Sequence, residues 1–457
     1  MEQERILKSK KMKNKTKIGI VSLGCPKNRV DTEVMLGILG EEGYEIVANP
    51  SDAHIIIVNT CAFIDDAKEE SIDTVLEMAN YKEQNCRYLI MTGCLAERYH
   101  AEIMEELPEV DAVVGTGDYH KIAEVIKEVE QGKTPVLYGH IDEDIPEGLP
   151  RMVSTGAHTA YLKISDGCDN KCTYCIIPKL RGRYRSRPVN DILAEARELA
   201  KSGVKEVILI AQDTTRYGYD ISGHEMLSEL LRELVKIEGL RWIRVHYMYP
   251  ESITDSMIEV FSSEPKVVKY MDIPIQHINN RVLKRMGRHN TKEDTQELIK
   301  KLRAQVPGIT IRTTLIAGFP GETEEEFLEL CDFVKEARFE KMGAFAYSVE
   351  EGTAAAKLTE QLDGGVKQSR QEKLMQIQSE ISKELQRRRL GKTVEVICEG
   401  YDEDNLMYFG RSQADSLDVD GVVYFAANDE VEIGEFVKVK ILDTDNYDCT
   451  GVQVEED

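Results

Sequence analysis

Short apolar runs alternate with longer amphipathic segments over the first 130 residues of the chain. The runs are KIGIVSL (17–23), HIIIVN (54–59) and YLIMT (88–92). The segments VDTEVMLGILGEEG and AKEESIDTVLEMANY lie between them, and their apolar residues recur at helical spacing. This alternation is typical of βαβ units that share a mainly parallel sheet. We therefore predict an N-terminal α/β domain over residues 16–133, preceded by a disordered basic tail, residues 1–15.

A second set of strands follows a region without regular pattern. Residues 134–158 are rich in Pro, Gly and acidic residues, which is typical of a linker. Six apolar runs then alternate with helical segments: YLKIS, KEVILIA, RWIRVHYMY, VVKYMDIPI, ITIRTTLIAG and KMGAFAYS. Six βα units predict an incomplete TIM-like barrel, (βα)6, over residues 159–388.

The hydrophobic pattern changes again near residue 391. After a charged helical segment come short alternating runs, VEVICEG, LMYFGRS, GVVYFAA and EFVKVKILD, separated by Gly, Asp and Asn. Period-two alternation with such turn residues predicts a small antiparallel β-barrel of OB-like size over residues 389–457. The predicted fold class is thus α/β with a small terminal β-barrel.

The composition of the chain excludes several classes of function. The formal net charge is −24, which argues against stable, broad nucleic-acid binding, since that requires Lys and Arg to neutralise phosphates. The first seventeen residues are basic and lack the apolar region of a secretion signal, and no run of apolar residues is long enough to cross a bilayer. We therefore expect a cytoplasmic protein without membrane attachment, whose ten cysteines are available for metal or catalytic roles.

Three cysteines lie close together in the stretch GCDNKCTYC. Cys168, Cys172 and Cys175 form a C-x3-C-x2-C motif in the loop after the first predicted barrel strand, where barrel active sites lie. An electron-carrying four-iron cluster normally has four thiolates, so a set of three leaves one iron open to a substrate. The alternative is a structural zinc site that takes a fourth ligand from elsewhere in the chain.

This stretch resembles the cluster motif of the radical S-adenosylmethionine (SAM) superfamily, with an aromatic residue, Tyr174, before the last cysteine. The resemblance implies that the three cysteines are catalytic ligands of a 4Fe-4S cluster whose open iron binds the amino and carboxylate groups of SAM. It further implies that reduction releases a 5'-deoxyadenosyl radical, which can abstract hydrogen from an unactivated carbon.

Several residues at other strand ends fall where such a cofactor would be contacted. They are Gln212, Asp213, His277, Arg312 and Gly318. We assign cofactor binding to Tyr174, Gln212, Arg312 and Gly318. For Gly318 the alternative is an ordinary strand-to-helix turn, and for His277 a hydrogen-bonded structural role is favoured.

A basic run, KLRGRYRSR (179–187), follows the cysteine motif. Its cations could neutralise an anionic substrate or cluster, or they could form salt bridges on a solvated face.

A second, dispersed set of cysteines follows the N-terminal strands. Cys25, Cys61 and Cys94 occur in SLGCPKNRVDTE, NTCAFIDDAKEES and TGCLAERY, and the carboxyl ends of parallel strands meet at one edge of a sheet. Together with the radical SAM motif and a terminal barrel similar to the TRAM module, these stretches resemble the methylthiotransferase family along nearly the whole chain. The resemblance implies a second 4Fe-4S cluster on these cysteines, which handles the inserted sulfur. The other four cysteines are interpreted as packing residues.

The family has two branches with different substrates. One modifies an adenosine beside the tRNA anticodon and the other an aspartate of the small-subunit ribosomal protein twelve (uS12). The tRNA branch typically has Gln-Met-Asn after the first cysteine, whereas this chain has Pro26, Lys27 and Asn28, which resembles the ribosomal-protein branch. The resemblance implies two SAM-dependent steps, methyl transfer to sulfur and then insertion of the methylthio group at the aspartate β-carbon.

Charge favours the same substrate. Residues 392–457 contain 18 Asp and Glu against 4 Lys and Arg, a formal charge of −14, so this domain should repel tRNA and attract a basic ribosomal protein. A surface kept acidic for solubility is the alternative. The competing functions are tRNA methylthiolation and a non-enzymatic two-cluster electron carrier. We expect a monomer that receives electrons from an external reductant such as flavodoxin or ferredoxin.

Overall fold

A computed structural model describes residues 16–455 of the chain. The predicted basic tail, residues 1–15, lies outside the described residues. The fourteen α-helices that are described are α1 (Pro26–Glu42), α2 (Asp65–Ala79), α3 (Cys94–Arg98), α4 (His100–Glu106), α5 (Ile122–Glu130), α6 (Ile177–Arg181), α7 (Val189–Lys201), α8 (Tyr219–Ser222), α9 (Leu227–Leu234), α10 (Asp255–Ser263), α11 (Asn280–Arg285), α12 (Lys292–Gln305), α13 (Glu324–Ala337) and α14 (Gly364–Arg387). None of these helices is both long and apolar enough to cross a membrane.

The N-terminal sheet has six parallel strands in the order β2-β1-β3-β4-β5-β6. They are β1 (Lys17–Ser22), β2 (Glu45–Ile46), β3 (Ile55–Thr60), β4 (Tyr88–Gly93), β5 (Ala112–Val114) and β6 (Val136–Leu137). Strand β3 is buried along its whole length, because helices cover both faces of a sheet of this type. Strands β1, β3 and β4 are neighbours, so their carboxyl ends lie side by side.

The region predicted as a linker is ordered and partly structured. It contains the edge strand β6, which is two residues long and carries no pattern that a sequence could reveal. The following residues pack on α1: Arg151 pairs with Glu33 at 2.5 Å, and Ser154 donates its backbone NH to the same carboxylate at 2.7 Å. The segment therefore attaches the N-terminal sheet to the next domain.

The central barrel is an open, parallel six-stranded sheet in the order β14-β13-β12-β11-β10-β7. Its strands are β7 (Thr159–Lys163), β10 (Glu206–Ile210), β11 (Trp242–Val245), β12 (Val267–Asp272), β13 (Thr310–Ala317) and β14 (Lys341–Ala346). Two further short strands, β8 (Ser165–Asp166) and β9 (Arg185–Ser186), pair antiparallel on either side of the tight cysteine motif. This confirms the predicted incomplete barrel.

The terminal barrel is closed by five strands in the order β15-β16-β17-β19-β18. They are β15 (Thr393–Asp402), β16 (Met407–Ser412), β17 (Val423–Ala426), β18 (Phe436–Thr444) and β19 (Cys449–Val454). Four of the five strand pairs are antiparallel as predicted, and β17 and β19 pair in parallel. Closure removes unpaired sheet edges, which explains how so small a unit is stable.

A segment of the terminal barrel, residues 411–420, consists of the end of β16 and the loop after it and enters the open central barrel. Arg411 lies 2.6 Å from Glu206 at the start of β10, and Arg244 lies 2.9 Å from the same carboxylate. Burial alone would raise the pKa of Glu206, but the two guanidinium groups lower it to about 2. Asp415 is buried between Lys341 and Arg389 at 2.8 and 3.3 Å. Part of the acidity of the terminal domain is therefore neutralised inside the protein.

Candidate active site

The tight cysteine motif forms a loop between β8 and α6, directly after the first barrel strand. Cys168 is buried, while Cys172 and Cys175 are half-buried. The backbone NH of Cys168 donates to the carbonyl of Gly182 at 3.1 Å, and that of Cys175 donates to the carbonyl of Cys172 at 3.1 Å. Gly167 has φ +78°, and a Cβ there would collide with the carbonyl oxygen of Arg183. The tight loop therefore depends on glycine before its first cysteine.

The donor set of this loop fits an iron-sulfur cluster. Burial raises the pKa of both Cys168 and Cys175 to about 12, so their thiolates need a strongly cationic partner. Within residues 16–455, no group of three or more His, Cys, Asp or Glu side chains is close enough to hold a single metal ion. Zinc would bring its thiolates to about 2.3 Å from one ion, whereas a four-iron cluster binds each thiolate on a different iron.

Aromatic and basic side chains line the same loop. The hydroxyl of Tyr249 lies 3.5 Å from the Cys172 sulfur, and the guanidinium of Arg288 lies 3.8 Å from the centre of the Tyr249 ring. Tyr174 packs against an apolar cluster that includes Val282 and Phe319. Sequence reasoning missed Tyr249 and Arg288, because only the fold brings them to the cysteines.

The structure separates the predicted strand-end residues into two groups. The Nε2 of Gln212 donates a hydrogen bond to Asp166 at 2.8 Å. The buried Oε1 of Gln212 has no partner among the described residues, so it can accept a hydrogen bond from a bound ligand. Arg312 lies 3.0 Å from Asp272 at the carboxyl end of β12. In contrast, Gly318 forms a left-handed turn at φ +74°, and its NH donates to the carboxylate of Glu322.

His277 has structural partners. Its Nδ1 accepts the backbone NH of Asn279 at 3.0 Å, and its buried Nε2 lies 3.4 Å from a carboxylate oxygen of Glu322 without forming a hydrogen bond among the described residues. The ring is fully buried. These contacts fit the structural role favoured from the sequence, and Gly318 fits the turn alternative.

The dispersed cysteines converge at the carboxyl edge of the N-terminal sheet. Cys25 directly precedes α1, Cys61 directly follows β3, and Cys94 is the first residue of α3 after β4. A Cβ on Gly24 would lie 3.0 Å from the Cys61 sulfur, which shows how closely the first two loops pack. Burial raises the pKa of Cys61 and raises that of Cys94 to about 12.

Asn28 joins the three dispersed cysteine loops. It is fully buried, and its Nδ2 donates to the carbonyls of Leu23 at 3.1 Å and Thr60 at 2.9 Å. The thiol of Cys94 lies 3.7 Å from its Oδ1. One side chain therefore contacts the loops of all three cysteines. Asn28 is the last residue of the CPKN stretch, residues 25–28.

Arg181 connects the two cysteine sets across the domain interface. It ends α6, six residues after Cys175, and its Nη2 donates to Asn28 Oδ1 at 2.5 Å. Its Nη1 pairs with Asp31 at 2.7 Å and with Asp166 at 3.1 Å. Both carboxylates also pair with Lys163, at 2.5 and 3.2 Å. Buried charges that are paired in this way hold the N-terminal sheet and the central barrel in a fixed relation.

Salt bridges account for much of the basic run. Besides Arg181, Arg187 pairs with Asp191 at 2.6 Å and with Glu195 at 2.7 Å. Arg183 lies at the surface, 3.6 Å from Asp144. Salt bridges therefore hold three of the five cations, but Arg181, Arg185 and Arg187 are buried, so the prediction of a solvated face is wrong. Arg181 is the member that reaches the dispersed cysteines.

Lys27 and Tyr247 are further residues that sequence reasoning did not place in the site. The ammonium of Lys27 lies 3.6 Å from the centre of the Tyr247 ring, and Tyr247 has a left-handed backbone, φ +60°. Tyr247 follows β11 and precedes Tyr249 by two residues. The residues after β11 thus face both cysteine sets. Tyr249 contacts Cys172 of the tight set, and Tyr247 contacts Lys27, which lies two residues after Cys25 of the dispersed set.

Comparisons with known proteins agree with this architecture. Three family models match: an uncharacterized protein family, UPF0004, over residues 17–115, the radical SAM superfamily over 162–334, and the TRAM domain over 390–454. Among solved structures, the radical SAM methyltransferase TsrM from Kitasatospora setae with cobalamin and a [4Fe-4S] cluster has a TM-score of 0.54 at 16% identity, covering 73% of this chain and 76% of that one. At that identity the likeness concerns the fold.

Curated relatives match the chain almost completely. "Ribosomal protein uS12 methylthiotransferase RimO" from Thermoanaerobacter sp. (strain X514) is 52% identical over 96% of this chain and 100% of its own length. Proteins of the same name from Clostridioides difficile (strain 630) and Acetivibrio thermocellus are 51% and 50% identical, over 95% and 97% of this chain and 98% and 99% of their own lengths. The chain therefore belongs to the RimO family of ribosomal protein uS12 methylthiotransferases.

Proposed function

We propose that this protein is a radical SAM methylthiotransferase that adds a methylthio group to the β-carbon of an aspartate in ribosomal protein uS12. The observation that carries the proposal is the meeting of two cysteine triplets across one domain interface, joined by Arg181 and Asn28. Relatives that carry this activity in their name match the chain over nearly its whole length. Two 4Fe-4S clusters and SAM are the cofactors.

Each cysteine triplet has its own role in this proposal. Cys168, Cys172 and Cys175 would hold one cluster with SAM, which supply a carbon radical able to remove hydrogen from an unactivated carbon. Cys25, Cys61 and Cys94 would hold the second cluster, where the sulfur for insertion is kept. Gln212, with its free buried oxygen, and Arg312 at the neighbouring strand end would orient SAM. Tyr249 and Arg288 cover Cys172 and limit the access of water to that loop.

A side-by-side assay tests the substrate. The reconstituted enzyme is offered uS12 and tRNA together, with SAM and a reductant, under anaerobic conditions. We expect a methylthio group on an aspartate of uS12, detected by mass spectrometry, and unmodified tRNA, because the CPKN stretch and the acidic terminal domain both suit a basic protein. Methylthioadenosine in the tRNA beside unmodified uS12 would establish the tRNA activity instead.

The exposed acidic residues of the terminal barrel would dock this basic substrate. Asp415 and Glu399 are paired internally and cannot contribute. The exposed acidic residues that form no salt bridge among the described residues are Glu403, Asp404, Asp429, Glu430, Glu432, Glu435, Asp443, Asp445 and Glu455. We also propose that an external flavodoxin or ferredoxin supplies the electrons. The enzyme is a monomer in this proposal.

Neutralising part of this surface should weaken substrate binding. In a variant with E403Q, D404N, D429N and E430Q, we expect the Kd for uS12 to rise several-fold and its salt dependence to flatten, because exposed charges are screened within about 8 Å at physiological ionic strength. Fluorescence anisotropy with labelled uS12 measures both effects. Deleting residues 392–457 would be a poorer test, because it also removes the partners of Glu206 and Lys341.

A matched control neutralises four exposed acidic residues of the central barrel, with E297Q, E325Q, D332N and E336Q. We expect this variant to bind uS12 like the unmodified enzyme. Equal weakening by both sets would show that net charge, rather than the terminal barrel, attracts the substrate.

A further inference from the structure

Lys27 is a buried cation at the interface between the two cysteine triplets. It is the second residue of α1, two positions after Cys25, and only 8% of its surface is exposed. Its ammonium lies over the face of Tyr247, 3.6 Å from the ring centre. Lysine is almost never buried to this degree unless an anion pairs with it.

No carboxylate pairs with this ammonium in the described part of the chain. Across residues 16–455, no carboxylate lies within 4.0 Å of the Lys27 ammonium and no side chain or carbonyl accepts a hydrogen bond from it. The largest charge attraction on the ammonium comes from the thiolate of Cys25, and the carboxylates whose charge also reaches it, Asp166 and Asp272, already have partners. Asp166 pairs with Lys163 and Arg181, and Asp272 pairs with Arg312.

The tyrosine ring satisfies only part of what the ammonium requires. An aromatic face attracts a cation through its quadrupole. It offers no oxygen or nitrogen lone pair that could accept a hydrogen bond from the three N–H groups of the ammonium. A buried ammonium is stable when it is both paired and hydrogen-bonded. The free donors of Lys27 therefore indicate a ligand that is anionic and accepts hydrogen bonds.

Backbone contacts fix the position of Tyr247. Its left-handed conformation is uncommon for a bulky residue, and hydrogen bonds from both sides of the residue hold it. Its NH donates to Asp272 Oδ2 at 3.2 Å, and its carbonyl accepts the NH of Thr214 at 3.0 Å. Because the ring is held in place, it directs the Lys27 ammonium to a defined point. Strain of this kind is concentrated at functional sites.

Two anions could come to this point, the thiolate-bound cluster on Cys25 or the carboxylate of the substrate. A cation required by the cluster would be expected in both branches of the family. The resemblance described above implies that the tRNA branch typically has Gln-Met where this chain has Pro26-Lys27, and adenosine carries no carboxylate. Arg181 is paired with Asp31 and Asp166, and its charge also reaches Cys25 and Cys94, so it contributes to balancing the cluster.

We propose that Lys27 binds the carboxylate of the substrate aspartate and thereby positions its β-carbon between the two cysteine triplets. This inference rests on the proposed function and names the residue that selects an acidic side chain. Lys27 is a specificity-determining residue, because it contacts the part of the substrate that distinguishes aspartate from its uncharged isostere.

The test compares binding of uS12 with that of a uS12 variant in which asparagine replaces the modified aspartate. For the reconstituted enzyme, we expect the aspartate form to bind at least about tenfold more tightly, since one buried charge pair is lost with asparagine. The K27M variant should bind both forms equally, with the affinity of the asparagine form. The K27R variant should retain part of the preference. Kd values from fluorescence anisotropy measure these differences.

Two controls accompany the binding experiment. K127M removes an exposed lysine of α5 that pairs with Glu42, and it should keep the full preference. Iron content and thermal unfolding are measured for each variant, and K27M should match the unmodified enzyme in both.

Two outcomes would overturn the inference. One is a K27M variant that still prefers the aspartate form by the same factor. The other is a K27M variant that loses about half of its iron, which would make Lys27 a residue that supports the cluster. Neither result affects the proposed function, which would fail separately if the unmodified enzyme modified tRNA and left uS12 unchanged.

Discussion

Replacing Cys168, Cys172 and Cys175 together by alanine should halve the iron of the reconstituted protein and abolish reductive cleavage of SAM. We expect about eight irons per chain before the change and about four after it, since each triplet would hold one four-iron cluster. The two sets lie on different domains, so the N-terminal set should fill independently. Iron analysis and the release of 5'-deoxyadenosine measure the two effects.

The chain offers a matched control for this experiment. Cys331, Cys398 and Cys449 are also buried, but each lies apart from both triplets. Replacing these three by alanine should leave the iron content unchanged. If the C168A/C172A/C175A variant kept nearly all of its iron, the assignment of one cluster to each triplet would be wrong.

Replacing Cys25, Cys61 and Cys94 by alanine should have the complementary effect. We expect SAM cleavage to persist and methylthiolation of uS12 to fall below detection, because the radical and sulfur roles lie on different domains. Asn28 keeps its bonds to Leu23 and Thr60 in this variant, so the interface should survive. Mass spectrometry of uS12 and the measured release of 5'-deoxyadenosine separate the two activities.

Two results would contradict this division of roles. Normal amounts of methylthiolated uS12 would show that the dispersed cysteines do not handle sulfur. Loss of SAM cleavage in a variant that unfolds at the same temperature as the unmodified protein would show that the two sets do not act separately.

Local patterns were sufficient to predict the placement of both cysteine sets. The runs at 17–23, 54–59 and 88–92 are short and strongly apolar, and parallel strands present their carboxyl ends at one edge. Cys25, Cys61 and Cys94 could therefore be expected to converge from spacing alone. The same reasoning predicted the incomplete barrel, whose repeated βα pattern extends over more than a hundred residues.

Contacts between distant segments could not be predicted in this way. Arg181 resembles its neighbours in a basic run, and only the packing of α6 against α1 shows that it reaches Asn28. Tyr249 lies 77 residues after Cys172, and nothing in its local sequence indicates that contact. The charge count of the terminal domain likewise could not reveal that Asp415 is buried against Lys341.

The segment of residues 411–420 also has a consequence for how the protein is made. Translation proceeds from the amino terminus, so all six strands of the central barrel are synthesised before Arg411, which follows its partner Glu206 by 205 residues. Until then Glu206 has only Arg244 as a cationic partner, and Lys341 lacks Asp415. In a chain that ends before the terminal barrel, we therefore expect water to take the place of Arg411 at Glu206 and of Asp415 at Lys341. Docking of the terminal barrel thus completes the charge pairing of the central barrel.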